Sequence, residues 1–321
     1  TYIHENNFLA PLILWFIFFA EQKKNIPTFV FAVLVLLVKE DAAVYVAVIS
    51  LYFLFTQKNY KCNFRLLIIS VIYFIVVIHF LKKYGDGVMT GRYSNYMYDG
   101  EDSFMTMIKS LIQNPVYAVQ QSFTQEKLIF ILQMLLPLGF LPVITKCPKR
   151  LILLIPFLLI NLMTNYQWQY NIGFQYGFGS GSLLIYLAVL NYSCLKDGRK
   201  WLLISACSSV IIFFGLYYNR TNYFETYENA TEQRQTIDYA LSFIPEDASV
   251  VSSTFILPNL SQRDEVYELE NTNQTADYYV LDLRYTTDEF DVSDYLNDAY
   301  DVVYYKEDTI GVFKRNSLYK P

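Results

Sequence analysis

Cysteine and histidine are scarce in this chain, with 4 and 2 among its 321 residues. Cys62, Cys147 and Cys194 sit in short basic loops and Cys207 inside an apolar run, which implies neither a disulfide framework nor a CxxC metal site. No GxGxxG, P-loop or nucleophile elbow occurs, so the usual dinucleotide, nucleotide and hydrolase signatures are missing. No basic block is found, and nucleic acid is excluded as a partner on that ground. A basic n-region and a cleavage site are lacking too, so no signal peptide is visible. Thr1 at the edge of a hydrophobic run leads us to expect further sequence upstream.

Acidic residues are rare in the first two thirds. Residues 220–321 hold 20 of the 30 acidic side chains and 8 of the 25 basic ones, giving −12 there and +7 in the remainder. What fills residues 1–219 is apolar: Phe8–Ala20, Ile26–Val38, Ala42–Thr56, Leu66–Leu81, Leu128–Thr145, Leu151–Thr164, Gly177–Tyr192 and Trp201–Asn219. We therefore expect a polytopic α-helical membrane protein with about eight membrane segments and a small C-terminal α/β extracytoplasmic domain. The boundary falls between residues 1–219 and 220–321. Several runs are shorter than the ~20 residues of a full crossing, so flanking polar and aromatic residues must extend them, or they stop inside the protein.

Charge sets the expected orientation. If every run crosses once, the loops 21–25, 57–65, 146–150 and 193–200 share one side, with 11 basic residues against Glu21 and Asp197. Short basic loops stay cytoplasmic. The opposite face then carries residues 1–7, 39–41, 82–127, 165–176 and the acidic tail, all outside. Residues 26–56 could form one long helix, but that would reverse the orientation of all that follows. A hairpin turning at Lys39–Asp41 keeps the charge rule, and each arm would then be shorter than the bilayer core, so its tip lies in a shielded cavity.

The polar clusters meet on that outer face. His4 and Glu5 precede the first run, and Lys39, Glu40 and Asp41 form the hairpin tip. Lys82, Lys83 and Arg92 open the long loop, which glycines at 85, 87 and 91 make flexible. Tyr166, Trp168, Tyr170 and Gln175 join two later runs. Structural roles are available for each: a helix-capping turn at Lys39–Asp41, an interfacial ion pair at His4–Glu5, an aromatic belt at 165–176, snorkelling for Lys82 and Lys83. His79, inside an apolar run, reads as packed. Charges within a membrane layer are expensive and face a cavity or a partner, and these share one side. Within 82–127, helical spacing at Met105–Ser110 and Pro115–Lys127 points to surface helices, and Asp99, Glu101 and Asp102 form a cluster that is either solvated or a site for a divalent cation.

The acidic tail alternates short strands and helices. Helices are expected at Thr231–Phe243, Ile256–Ser261 and Asp291–Tyr300. Strands are expected at Ser249–Phe255, Val266–Leu269 and Tyr278–Leu283, with a terminal hairpin around Lys306–Asp308.

The order of motifs is similar to a known family. His4-Glu5 is followed by Leu37-Val-Lys-Glu-Asp41 and by Gln175-Tyr176. The tail holds Ile244-Pro-Glu-Asp-Ala-Ser-Val250, Leu257-Pro-Asn-Leu-Ser261 with Arg263, and Ala276-Asp-Tyr-Tyr-Val-Leu-Asp282. Over nearly its whole length the chain resembles the bacterial and archaeal membrane family of domain of unknown function 2079, grouped with the GT-C superfamily of glycosyltransferases. The resemblance implies transfer of a sugar from a polyprenyl-phosphate carrier to an acceptor outside the cytoplasm, with lipid-linked donor and membrane lipid as partners. In that superfamily an acidic residue of the first outer loop acts as base or metal ligand; here that loop would lie upstream of Thr1. On this reading Lys39, Lys82, Lys83 and Arg92 would neutralise the donor phosphate. Glu40, Asp41, His4 and Glu5 would position the acceptor or move its proton. Tyr166, Trp168 and Tyr170 would stack on sugar faces, with Gln175 beside them. A transporter or flippase and a catalytically silent scaffold of envelope assembly are the alternatives. The Asn/Ile/Lys/Tyr-rich composition points to a low-GC bacterium.

Overall fold

The structure is a computed structural model that describes residues 4–57, 60–84, 91–97, 104–195, 198–217, 223–284 and 291–316. It divides into two compact units, Thr1–Tyr218 and Asn219–Pro321.

In the first unit, α1 (Leu9–Glu21) and α2 (Asn25–Leu36) pack on each other and on α3 (Ala42–Thr56). Lys23 adopts a left-handed backbone (φ 57) in the turn after α1. Residues 37–41 interrupt the apolar stretch, so α2 and α3 are the two arms of a hairpin rather than one helix. α4 (Tyr60–Tyr84) begins soon after α3 ends and packs along it. Three shorter helices follow: α5 (Phe104–Gln113), α6 (Pro115–Ser122) and α7 (Gln125–Leu135). Asn114 caps α6 by accepting from the Tyr117 amide, with Pro115 at the first helical position, where a missing N–H costs nothing. Next come tight 3-10 turns and a π-helical turn at Phe157–Leu162, then α8 (Phe178–Tyr192) and α9 (Gly198–Tyr217). The core of this unit is built from Ile13, Phe16, Val35, Tyr45, Ile49 and Leu183.

The expectation of about eight membrane segments is corrected here. Among the described residues two helices are long and apolar enough to cross a membrane, α4 and α9. The helices α1, α2, α3 and α8 have 13, 12, 15 and 15 residues. At ~1.5 Å per residue they reach about 18–23 Å, short of the ~30 Å hydrocarbon layer. The runs Leu128–Thr145 and Leu151–Thr164 are not continuous helices. Pro137 precedes Gly139 and Phe140, both left-handed (φ 58 and 57), and the second run passes from 3-10 to π geometry around Pro156. Apolar composition reports that a segment avoids water, not what covers it. One face of α1 and most of α3 are covered by protein, whereas α4 and α9 leave Ile72, Ile75, Val76, Leu203, Ile211 and Phe214 exposed. His79, expected to be packed, is exposed on α4 as well.

The second unit holds α10 (Tyr223–Asn229), α11 (Thr231–Leu241) and a five-stranded sheet. Its strands are β1 (Val250–Ser252), β2 (Val266–Glu268), β3 (Tyr278–Asp282), β4 (Tyr300–Lys306) and β5 (Ile310–Arg315), in the order β2-β1-β3-β5-β4. β1 pairs in parallel with β2 and β3, while β5 runs antiparallel to β3 and β4. The period-2 alternation of strands splits the core over both faces. Val250, Tyr278, Val280, Ile310 and Val312 pack under α11, and Val251, Tyr279, Leu281 and Phe313 lie on the other side with Tyr295 and Tyr300. The helix expected over Asp291–Tyr300 shrinks to a 3-10 turn at Val292–Tyr295. Asp291 and Asn297 accept from nearby backbone amides there and favour turns over a continuing helix. Asp282 at the end of β3 is held in a bidentate pair by Arg284 at 2.8 and 2.6 Å, a structural lock.

A Cβ at Gly179, near the start of α8, would sit 2.5 Å from Cζ and 2.7 Å from the hydroxyl of Tyr45, a ring 1% exposed. Gly179→Ala should therefore lower stability by ~1–3 kcal/mol, read as a fall in melting temperature of the detergent-solubilised chain. Adding Tyr45→Leu should recover part of the loss, and an unchanged melting temperature for Gly179→Ala would contradict this packing.

Candidate functional site

The break between α2 and α3 projects three charged side chains into the first unit. Lys39 is only 9% exposed and reaches Glu5 at 3.5 Å. Glu40 lies 4.0 Å from Arg92, whose side chain is 10% exposed. Asp41 is buried at the start of α3. Arg92 is placed by its own backbone: its carbonyl accepts from the Asn165 amide at 2.8 Å and from the Thr164 hydroxyl at 3.2 Å.

Asn161 anchors the aromatic loop opposite. Fully buried in the π-helical turn, it donates to the carbonyls of Gln169 at 2.6 Å and Tyr176 at 3.3 Å. Its Oδ1 accepts from Ser180 at 2.6 Å, and Ser180 lies 3.2 Å from the Tyr45 hydroxyl. This chain of hydrogen bonds ties α3, α8 and the 165–176 loop together, and satisfies polar groups that would be costly if buried alone.

Tyr176 is the hub of the assembly. Lys39 Nζ lies 4.8 Å from its ring centroid and the Arg92 guanidinium 5.6 Å. His4 meets the ring edge-on at 5.8 Å and Tyr166 at 5.7 Å. Arg92 also lies 5.0 Å over Tyr166. Such desolvated cation–π contacts hold a cation without neutralising it. Arg92, Tyr166, Trp168 and Tyr170 line one cleft of ≈ 570 Å³ with Gly91, Asn165 and Gln167.

Several polar atoms here lack a hydrogen-bond partner among the described residues: Arg92 Nε and Nη1, Asp41 Oδ1 and Asn6 Nδ2. Buried donors and acceptors left without a hydrogen bond cost about 1–3 kcal/mol each, more when charged. Burial raises Asp41 to about 6, with Lys39 as the main opposing influence. Burial also lowers His4, with Glu5 opposing and the charges of Lys39 and Arg92 adding to it. His4 Nδ1 lies 3.0 Å from Glu5 and 3.3 Å from the Asn6 amide. The first contact needs a protonated nitrogen and the second a bare one, and burial favours the bare, neutral ring.

The structure thus brings His4, Glu5, Lys39, Glu40, Asp41, Arg92 and Tyr166 together, with Trp168 and Tyr170 in the adjoining cleft. Gln175 is half-buried in the 3-10 turn Gln175–Gly177, next to Tyr176. Lys82 and Lys83 close the last turn of α4, where Lys83 lies 5.1 Å over the ring of Tyr84. Asp99, Glu101 and Asp102 fall outside the described residues, and among those described no cluster of three His, Cys, Asp or Glu could hold a metal ion. Residue-by-residue reading missed two members. Asn161 is a single amide inside an apolar run, a detectable signal. Lys127 is buried, bonded to the Gln121 carbonyl and 5.1 Å over Tyr170, with burial lowering it to about 8; its sequence context resembles any surface-helix lysine.

Comparison with known families matches residues 3–304 to the model described as "Predicted membrane protein (DUF2079)". Comparison with curated proteins and with solved structures gives no match.

Ionising Asp41 penalises the folded state. The unfolded chain releases the proton near 3.8 and the folded one only at about 6, so stability falls as pH rises between these values and stays lower above them. Asp41→Asn should therefore raise the melting temperature at about pH 7.5, by on the order of 3 kcal/mol at most. The gain should vanish by about pH 4; a gap between variant and parent that does not change with pH would remove the buried-carboxyl account.

Proposed function

The chain belongs to the DUF2079 family, and we propose that it is a membrane glycosyltransferase of GT-C type. It uses a polyprenyl-phosphate-linked sugar donor and an acceptor on the outer face. One observation carries the reading. Two nearly buried cations, Lys39 and Arg92, stand over the aromatic rings of Tyr176 and Tyr166 beside a cleft, and Arg92 Nε has no hydrogen-bond partner among the described residues. That combination suits a phosphate attached to a sugar. The guanidinium supplies charge-assisted hydrogen bonds to the phosphate oxygens, and the rings supply apolar faces for the pyranose.

Each group then has a role. Arg92 and Lys39 bind the phosphate and stabilise the charge that gathers on it as the glycosidic C–O bond breaks. Asp41, with its raised proton affinity and open Oδ1, accepts the proton of the acceptor hydroxyl, and Glu40 and Glu5 orient the two cations. His4, with Nδ1 3.0 Å from Glu5, stands beside it where the two can relay a proton. Tyr166, Trp168 and Tyr170 line the sugar cleft. Lys82 and Lys83, at the far end of α4, attract the anionic donor toward the membrane edge.

The orientation rests on α9, the long helix that leads into the second unit. Arg199 and Lys200 stand in its first turn. Basic residues at a helix start favour the cytoplasmic side, which on this reading leaves the acidic second unit outside.

Membranes containing the full-length protein, supplied with a radiolabelled polyprenyl-phosphate sugar, should form a labelled product. Arg92→Ala and Asp41→Asn should each lower the rate about a hundredfold or more, as expected for loss of an electrostatic or proton-transfer group. Full activity in both variants would end this assignment.

A further inference from the structure

The opposite end of α2 carries a second feature, independent of the charged cluster. A cleft of ≈ 710 Å³ opens between the first turns of α2 and α4. Ile26, Phe29 and Val30 form one wall, and Tyr60, Lys61, Cys62 and Arg65 the other. Ile26 is 80% exposed and Phe29 44%, so this apolar wall is left uncovered by protein.

The charge around the cleft has one sign. Lys23 and Lys24 precede α2, Lys61 and Arg65 stand on α4, and residues 22–65 contain no acids except Glu40 and Asp41, at the other end of α2. Among the described residues, neither Lys61 nor Arg65 forms an ion pair. Glu21, the nearest acid along the chain, is taken up by a 2.6 Å hydrogen bond from Tyr186. Below Arg65 the exposed surface of α4 turns wholly apolar through Ile68, Ile72 and Ile75. Two cations at a rim, an open apolar wall beneath and an apolar strip beyond match a negatively charged headgroup carried on an acyl chain.

We propose that this cleft is a binding site for an anionic phospholipid, with the headgroup phosphate on Lys61 and Arg65 and an acyl chain along Ile26, Phe29 and Val30. The exposed terminus of α2 is then covered by lipid rather than by protein. The charge complementarity selects an anionic over a zwitterionic headgroup. Because none of these residues belongs to the sugar-transfer cluster, this inference and that function stand or fall separately.

Native mass spectrometry of the full-length protein, released from nanodiscs of equal parts dioleoyl phosphatidylglycerol and dioleoyl phosphatidylcholine, tests the site. The parent chain should retain one phosphatidylglycerol in clear preference to phosphatidylcholine. Lys61→Gln with Arg65→Gln should weaken that retention about tenfold or more and leave phosphatidylcholine retention unchanged. Arg199→Gln with Lys200→Gln, which alters another basic helix start, should retain phosphatidylglycerol as the parent does. Equal retention of the two lipids by the parent, or undiminished retention after the Lys61 and Arg65 changes, would overturn the proposal. A folding defect is separable, since it would lower phosphatidylcholine retention and melting temperature as well; in that case Phe29→Ser, predicted to weaken phosphatidylglycerol retention through the apolar wall, decides the question.

Discussion

Charge held away from water inside an apolar body must be answered by other charge, by hydrogen bonds or by a ligand. The Lys39–Asp41 segment imposes that constraint on the whole first unit. A continuous helix from Ile26 to Thr56 would strand three charged side chains along its length. The chain breaks instead, α2 and α3 fold back, and the charges point to one place. Everything around that place answers them: Glu5 approaches Lys39, Arg92 approaches Glu40, and Tyr176 offers its face to both cations. Asn161 and Ser180 then fix the loop that carries Tyr176. The arrangement leaves Arg92 Nε and Asp41 Oδ1 without a hydrogen bond among the described residues.

The convergence of the polar clusters was legible from residues scattered between 4 and 176, because desolvation gives charged groups in an apolar chain few alternatives to meeting. The number of membrane segments was not legible in the same way. Hydropathy counts how strongly a run avoids water, and one face of α1 and most of α3 avoid it by packing into protein. Nor does composition reveal where a helix tightens or loosens. The π-helical turn at Phe157–Leu162 is what allows Asn161 to reach two carbonyls across the loop, and nothing in Leu151–Thr164 beyond Pro156 and the lone amide signals it. Tyr176 was visible only as part of a dipeptide motif. Its position between two cations depends on a loop fold that no local pattern encodes.

In the second unit, patterning succeeded where the structure is periodic and failed where it is turn chemistry. Short unbroken apolar runs in Tyr278–Asp282 and Ile310–Arg315 mark two adjacent strands with both faces covered. Asp291–Tyr300 has helical spacing too, but Asp291 and Asn297 each satisfy a nearby amide, and the helix gives way to a single turn. Arg263 shows the opposite case. It looks like a surface cation, yet it donates to the carbonyls of Ile244, Pro245 and Ala248, closing the segment that leads into β1.

The balance of charge in the cluster also says why an anion and a proton would be linked there. Lys39 and Arg92 face Glu5, Glu40 and Asp41, so the group is neutral when Asp41 holds its proton and negative by one when it does not. A phosphate entering beside Arg92 adds negative charge to a nearly buried site, where Coulomb interactions are far stronger than in water. It therefore raises the proton affinity of Asp41 further, toward the working pH, where the ionised carboxylate is a stronger base. When the phosphate departs, that proton is no longer held and can leave. On the proposed chemistry, the same two cations that seat the donor thus also set the proton affinity of Asp41.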